Sequence, residues 1–507
     1  MRFSLRPYQE IDVGRLRAEF RAGRKAPIYV LPTGGGKTVS FCHITAEAVA
    51  KGNRVWLLTH RNEILEQISR ALTGFDVPHG VIAAEYDEQP NRPAQVASVQ
   101  SLARRLGRYQ VPDLIICDEV HHFTSPLFRR IIEMYPHTPR LGVTATPCRT
   151  DKKGLGTLFD SLVLGPSCAD LIRDQWLCKP VYYAPAPGSL PDFSGIKKLA
   201  GDLNAGELEQ FMLAKPAITG HAIEHYRKHI APAPALVFVV TLKHGEEVVK
   251  QFNEAGLRAA MIEGGTDKVT RRAMIADLSE GRLDVMVSCS LISEGFDVPV
   301  CGGCILLRRT ESLTLHLQQL GRALRIYPGK KRAVICDAVG NLFTHGFAET
   351  PRQWSLDGGA TNPNGAGRIA VRQCPECFCC HSPAAQCPEC GHQYKTEEKL
   401  PRQVDGELYE IGDEAWAAKE KATDIMVEWI LAFGTRADPT MHVYEDAERR
   451  FDEGHGHHPD WNMKQLLAWG KRRQFKNAGY WAMQTIKRRR AASTPASPIL
   501  KLAEATR

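Results

Sequence analysis

Short apolar runs rich in β-branched residues alternate with helix-period segments through the first third of the chain. IYVL (28–31), VWLL (55–58), QVASV (95–99), LIIC (114–117) and LGVT (141–144) predict buried strands. RNEILEQISRAL (61–72) carries the spacing of an amphipathic helix. Strands that are apolar throughout and joined by helical crossovers predict a parallel sheet covered on both faces. The alternation lapses near 180–234, where YYAPAPGSLPDFSG (182–195) and APAPA (231–235) concentrate chain-breaking residues. It restarts with LVFVV (236–240), RAAMI (258–262), DVMVSC (284–289), CILL (304–307) and RAVIC (332–336). The same α/β architecture is therefore expected twice, although no sequence repeat is evident between the halves. DGGATNPNGAG (357–367) reads as a linker, and a cysteine cluster follows at 374–390. The expected layout has α/β domains at 1–175 and 235–350, a connecting segment at 176–234 and a linker at 351–370. A small cysteine-rich element (371–395) and a mostly helical, basic region (396–507) complete it.

Composition changes this picture little. A chain of 507 residues exceeds a single core, and about 150 residues per domain gives roughly three domains. Hydrophobic content of 43% and charged content of 24% are those of a globular protein. The formal charge of +8 hints at a polyanionic partner. The start, MRFSLRPYQEID, has no apolar core, so no secretory signal is expected. ALVFVV (235–240) is the strongest apolar run and is far too short to cross a bilayer. Fifteen cysteines without an export signal point to thiols or metal ligands, and to a cytoplasmic protein.

Chemistry enters at LPTGGGKT (31–38), between an apolar strand and the helical stretch VSFCHITAEAVA. Gly34, Gly35 and Gly36, with Pro32 and Thr33, would let backbone N–H groups wrap phosphate oxygens at a helix N-terminus. Lys37 would reach the β- and γ-phosphates and Thr38 would ligate Mg²⁺. The general phosphate-loop pattern opens with Gly six residues before the Lys; here that position is Leu31. IICDEVHH (115–122) places Asp118 and Glu119 just after a strand, where open α/β sheets bind ligands. Asp118 would hold Mg²⁺ through water. Glu119 would orient or deprotonate an attacking water. QQLGRALR (318–325) then sets Arg322 and Arg325 about one helical turn apart in the second α/β domain. Arginines reaching the γ-phosphate from there would act as fingers on the transition state, coupling nucleotide binding to domain closure.

The ordered motifs resemble those of superfamily 2 helicases over almost all of residues 1–345. The resemblance implies two tandem RecA-like parallel-sheet domains and an ATP hydrolase that works on nucleic acid. RPYQ (6–9) is similar to the adenine-reading element, with Arg6 and Gln9 at the base. PTGGGKT resembles motif I, DEVH (118–121) the DExH form of motif II, and TATP (144–147) motif III. LISEGFDVP (291–299) resembles motif V, with Gly295 and Asp297 near the nucleotide, and QQLGRALR resembles motif VI. The resemblance implies that Gln318 faces motif II and that Arg322 and Arg325 are the fingers. THRNEI (59–64) and SVQSLARR (98–105) resemble motifs Ia and Ib, which implies strand-phosphate contacts from His60, Arg61, Ser98 and Gln100. Within the superfamily the chain looks most like the bacterial and phage RadD-like DNA helicases. These share the LRPYQ start, the GFDVP form of motif V, QQLGRALR and a cysteine-rich element after the motor.

CPECFCCHSPAAQCPEC supplies Cys374, Cys377, Cys387 and Cys390 as two C-x-x-C knuckles, a set that suits tetrahedral Zn²⁺ in a structural ribbon. Cys379, Cys380, His381 and His392 stand close by as alternative ligands; a redox pair or free thiols are the other readings. KRRQFKNAGYWAMQTIKRRR (471–490) interleaves cations with Phe475, Tyr480 and Trp481, as a strand-binding surface or as an amphipathic helix. EGHGHHPDW (453–461) reads as a solvated loop. The leading expectation is an ATP-dependent DNA helicase or translocase using ATP, Mg²⁺ and structural Zn²⁺. Its partner is DNA, with RNA as the alternative, and single-strand-binding or replication and repair proteins are candidate partners. Competing readings are an ATPase that remodels protein–DNA complexes and a non-catalytic clamp switched by ATP.

Overall fold

The computed structural model describes residues 4–123, 125–148, 154–199, 201–289, 298–358, 360–361 and 370–394. They lie within one compact unit, Met1–Glu397; the other unit, Glu398–Arg507, falls outside the described residues, and with it the basic tail and the histidine-rich loop.

The first lobe is a seven-stranded sheet. Its strands are β1 (Pro27–Val30), β2 (Val55–Thr59), β3 (His79–Ile82), β4 (Ala94–Ser98), β5 (Leu114–Asp118), β6 (Arg140–Thr144) and β7 (Ser161–Leu164). They run parallel in the order β3-β4-β2-β5-β6-β1-β7. The five predicted strands are present; β3 and β7, edge strands that are only partly buried and carry polar positions, complete the sheet. Every residue of β1, β2 and β4 is buried, as a sheet covered on both faces requires.

The second lobe opens earlier than its apolar pattern suggests. β8 (Lys179–Tyr183) lies in the segment expected to be a connector, yet it joins the second sheet. A two-residue hairpin, β9 (Lys198–Leu199) with β10 (Asp202–Leu203), and two helices follow. Then come β11 (Ala235–Val239), β12 (Ala259–Ile262), β13 (Val285–Cys289), β14 (Gly303–Leu306) and β15 (Arg332–Asp337). The prolines around β8 masked it. Pro180 is tolerated because the strand on that side pairs only with Tyr182 and Tyr183, so no neighbour needs the missing N–H.

The described part of the expected linker also belongs to the fold. β16 (Gln353–Trp354) pairs with β17 (Ala360–Thr361), and Trp354 and Leu356 pack on the core of the first lobe. Leu356 O accepts hydrogen bonds from Leu155 N (2.8 Å) and Gly156 N (3.0 Å). Gly154 permits this approach, since a Cβ there would lie 2.2 Å from Leu356 O. The cysteine-rich element is not a separate bead either. Its strands β18 (Arg372–Gln373) and β19 (Cys379–His381) extend the second sheet through β8, giving the order β12-β13-β11-β14-β15-β8-β19-β18. No helix among the described residues is long and apolar enough to cross a membrane.

Gly154→Ala should therefore loosen the 353–358 strap, costing about 1–3 kcal/mol. Thermal unfolding and faster proteolytic cleavage near Trp354 would report it; an unchanged profile would show that the strap yields freely.

Candidate active site

Sheet register brings the acidic, hydroxyl and phosphate-loop groups together. β6 lies between β1 and β5, with Val30 paired to Thr144 and Asp118 to Val143. The three loops leaving these strands thus start at one level, about 4.8 Å apart. Gly34 and Gly36 have φ of +87° and +85°, which side chains rarely adopt. The helix Lys37–Ala50 begins at once, so its unpaired N–H groups face the loop. Lys37 Nζ donates to Leu31 O at 3.3 Å and lies 3.9 Å from Glu119 Oε1. Thr38 follows as the second residue of that helix.

Asp118 closes β5, and Glu119 turns the chain sharply with φ of +54°. Its own N–H donates to Asp118 Oδ1 at 3.0 Å. Thr144 Oγ1 donates to Glu119 Oε2 at 3.3 Å, and His121 Nδ1 lies 3.0 Å from the same hydroxyl. The N–H of Thr146 donates to Thr144 Oγ1 at 3.1 Å. The motif II carboxylate is thereby wired to the 144–147 segment through one buried hydroxyl.

Gln9 differs from expectation. Its Nε2 donates to Gly36 O at 3.0 Å and Gly35 O at 3.3 Å, while its Oε1 accepts from Arg6 N at 2.8 Å. Both ends of the amide are engaged, so the side chain ties the first helix, Pro7–Arg21, to the phosphate loop instead of offering an edge to a base. Tyr8 supports the same loop by donating to Gly35 O at 2.6 Å. The Arg6 guanidinium stacks over Trp176, 4.6 Å from the ring centroid.

From the second lobe, the helix Leu313–Ala323 is capped by Ser312, whose Oγ accepts from Leu315 N. Gln318 and Arg322 are buried, and Gln318 Nε2 has no hydrogen-bond partner among the described residues. This helix lies directly on the phosphate loop. A Cβ on Gly321 would sit 2.4 Å from Thr33 Cβ, and one on Gly34 would sit 3.5 Å from Arg325 Cγ. Burial lowers the Arg325 pKa to about 10, which leaves it charged at neutral pH. Lys37, Glu119 and the Arg325 stem thus gather around one loop. Gly295 and Asp297 lie outside the described residues.

The motif Ia and Ib residues divide. His60 and Arg61 follow β2 and are partly buried, with Arg61 Nε donating to His60 Nε2 at 3.3 Å. Gln100 is exposed. Ser98 is corrected: it is buried, and its hydroxyl accepts from Ser101 N at 3.2 Å as a helix cap, so its oxygen is not presented to a strand.

The thiol sulfurs of Cys374, Cys377, Cys387 and Cys390 all lie within 4.8 Å of one another. Cys374–Cys390 and Cys377–Cys387 are 3.6 Å and 3.7 Å apart. A tetrahedron of 2.3 Å Zn–S bonds requires about 3.8 Å, so the donor set fits Zn²⁺. The nearby alternatives are engaged otherwise: Cys379 and Cys380 are buried in β19, and His381 Nε2 lies 2.7 Å from Tyr394 OH. Sequence reading missed Leu177 and Trp176, which have no motif and acquire neighbours only in the fold, and Lys330, for which the Pro-Gly turn at 328–329 was the available signal.

This is the architecture of a two-lobed P-loop nucleotide hydrolase. A family model described as the type III restriction enzyme res subunit matches residues 2–149, and one for the helicase conserved C-terminal domain matches 220–327. A 51.5 kDa protein of a Lactococcus phage is 34% identical over 413 residues, covering 79% of this chain and 87% of the relative. The candidate ATP-dependent helicase IRC3 of Saccharomyces cerevisiae is 28% identical over 356 residues, 66% of this chain. The chain spans only about half (51%) of that yeast protein. A solved fragment of a candidate HsdR subunit of a type I restriction enzyme from Vibrio vulnificus has the same fold, with a TM-score of 0.52 and 21% identity. That match covers 67% of this chain and 66% of the fragment. The chain belongs to the superfamily 2 helicases, a family of ATP-hydrolysing nucleic-acid motors.

Thr144→Val should keep ATP binding while slowing turnover about tenfold, measured by steady-state ATPase and nucleotide titration. Metal analysis of the purified chain should find one Zn²⁺, and Cys377→Ser should lower both zinc content and melting temperature. A zinc-free chain with unchanged melting would remove the structural role.

Proposed function

We propose that this chain is an ATP-driven DNA helicase or translocase, of the RadD-like kind, working in DNA repair, recombination or replication. The observation that carries the reading is the lie of Gly321 and Arg325 against the phosphate loop of the other lobe. Loop N–H groups and Lys37 take the β- and γ-phosphates. Thr38 and Asp118 would hold Mg²⁺, which supplies charge neutralisation when bound. Glu119 accepts a proton from the attacking water, and Thr144 and His121 fix its carboxylate. Arg322 and Arg325 stabilise charge on the transferring phosphoryl group from the second lobe. Gln318 would face the Asp118–Glu119 pair.

Because the finger helix belongs to one lobe and the cradle to the other, hydrolysis and release change how firmly the lobes hold together. That change drives movement along a strand gripped by its phosphates, with His60, Arg61 and Gln100 as contacts in the first lobe. The Cys374, Cys377, Cys387 and Cys390 set would hold Zn²⁺ as a brace, and a cytoplasmic setting suits the free thiols.

Single-stranded DNA should raise steady-state ATPase, and Glu119→Gln should bind ATP yet stop turnover. Absence of stimulation by any DNA or RNA would defeat the motor reading. Duplex-unwinding assays with DNA and RNA substrates of both polarities separate a helicase from a translocase that remodels protein–DNA complexes.

A further inference from the structure

The finger helix ends where its carbonyls lose their intrahelical partners. Lys330 fills that gap: its Nζ donates to Ala323 O at 2.6 Å and to Arg325 O at 3.0 Å. The carbonyl between them is taken from another direction, by the N–H of Cys178 donating to Leu324 O at 2.8 Å. Cys178 Sγ also lies 3.4 Å from Arg325 O. Three successive carbonyls at the root of Arg325 are therefore held.

Local sequence explains how Lys330 returns to the helix it has just left. In IYPGK (326–330), Lys330 N donates to Tyr327 O at 3.0 Å, and Gly329 between them has φ of +81°. Pro at the second turn position and Gly at the third are the signature of a type II turn, which reverses the chain. The reversal aims the ammonium at the negative end of the helix dipole. Burial lowers the pKa of Lys330, the expected consequence of taking an ammonium out of water, and the two carbonyls compensate. The other jaw reaches the nucleotide loop itself. A Cβ on Gly34 would lie 2.9 Å from Leu177 Cδ2, and Leu177 immediately precedes Cys178.

We propose that Lys330 is a positioning residue for ATP hydrolysis, clamping the carbonyl end of the finger helix, together with Cys178, so that Arg325 stands over the phosphate loop. The proposal rests on the reading of Arg325 as a finger. It predicts a defect in turnover and not in ATP capture, because the phosphate-binding groups of the first lobe are untouched.

The test is a double-mutant cycle in DNA-stimulated ATPase with the full chain. Lys330→Met should lower kcat about tenfold with the KM for ATP changed less than about twofold. Lys330→Arg, still able to donate to both carbonyls, should keep at least about half of the turnover. In an Arg325→Ala background, Lys330→Met should add no further loss, since the two act through one group. Equal fractional losses in both backgrounds, or a loss confined to KM, would overturn the proposal. Should Lys330→Met fail to fold, Gly329→Ala replaces it in the same cycle, because its Cβ meets nothing within 4 Å and perturbs only the turn. Full turnover by Arg325→Ala would instead sink the finger reading; a slow Arg325→Ala beside a normal Lys330→Met would sink the clamp alone.

Discussion

The close approach of two backbones, one in each lobe, is the constraint on which the site depends. The helix Leu313–Ala323 meets the phosphate loop where Gly321 faces Thr33 and Gly34 faces Arg325. A side chain on Gly321 would collide with Thr33 Cβ at 2.4 Å, and one on Gly34 would be strained by its φ of +87°. Glycine at both positions costs backbone entropy, and the return is that the stem of Arg325 from the second lobe lies over the loop that leads into Lys37. A transition state spread over three phosphoryl oxygens is stabilised best by charges fixed before the reaction begins. This contact is what fixes them.

Around that contact, the fold repeatedly secures moving parts to rigid ones. Glu119 is held through Thr144 to the end of β6. Gln9 and Tyr8 hold the phosphate loop to the first helix. The 353–358 strap crosses back from the second lobe to the first, where Leu356 O receives two N–H groups. The cysteine-rich element adds β19 to β8, the strand that begins just after the contact of Cys178 with the finger segment. Zinc in that element would therefore brace the same edge of the sheet that anchors the finger helix.

Much of this was legible in the residue order. Phosphate loops, strand-end carboxylates and helical arginine pairs are local signatures, since each needs a particular backbone within a few residues. The buried strands were legible because parallel strands covered on both faces are apolar at every position. β8 was not, because prolines that exclude a central strand are harmless beside a strand as short as β19. Ser98 was misassigned because a serine before a helix serves a cap and a phosphate contact with the same chemistry, and only burial separates them.

Sequence by itself determined which chemical groups stand together locally, the glycine loop with Lys37, the Asp118–Glu119 pair, the Arg322–Arg325 pair and the four cysteines, and that two α/β sheets are present. Tertiary structure decided the company each residue keeps. It placed the Cys178 N–H on the Leu324 carbonyl behind Arg325, Leu177 against Gly34, Gln9 on the phosphate loop and the described part of the supposed linker on the first lobe. The reason is physical. Local backbone preference acts over a few residues, whereas these contacts join positions up to some 200 residues apart, and only packing of the two sheets sets those distances.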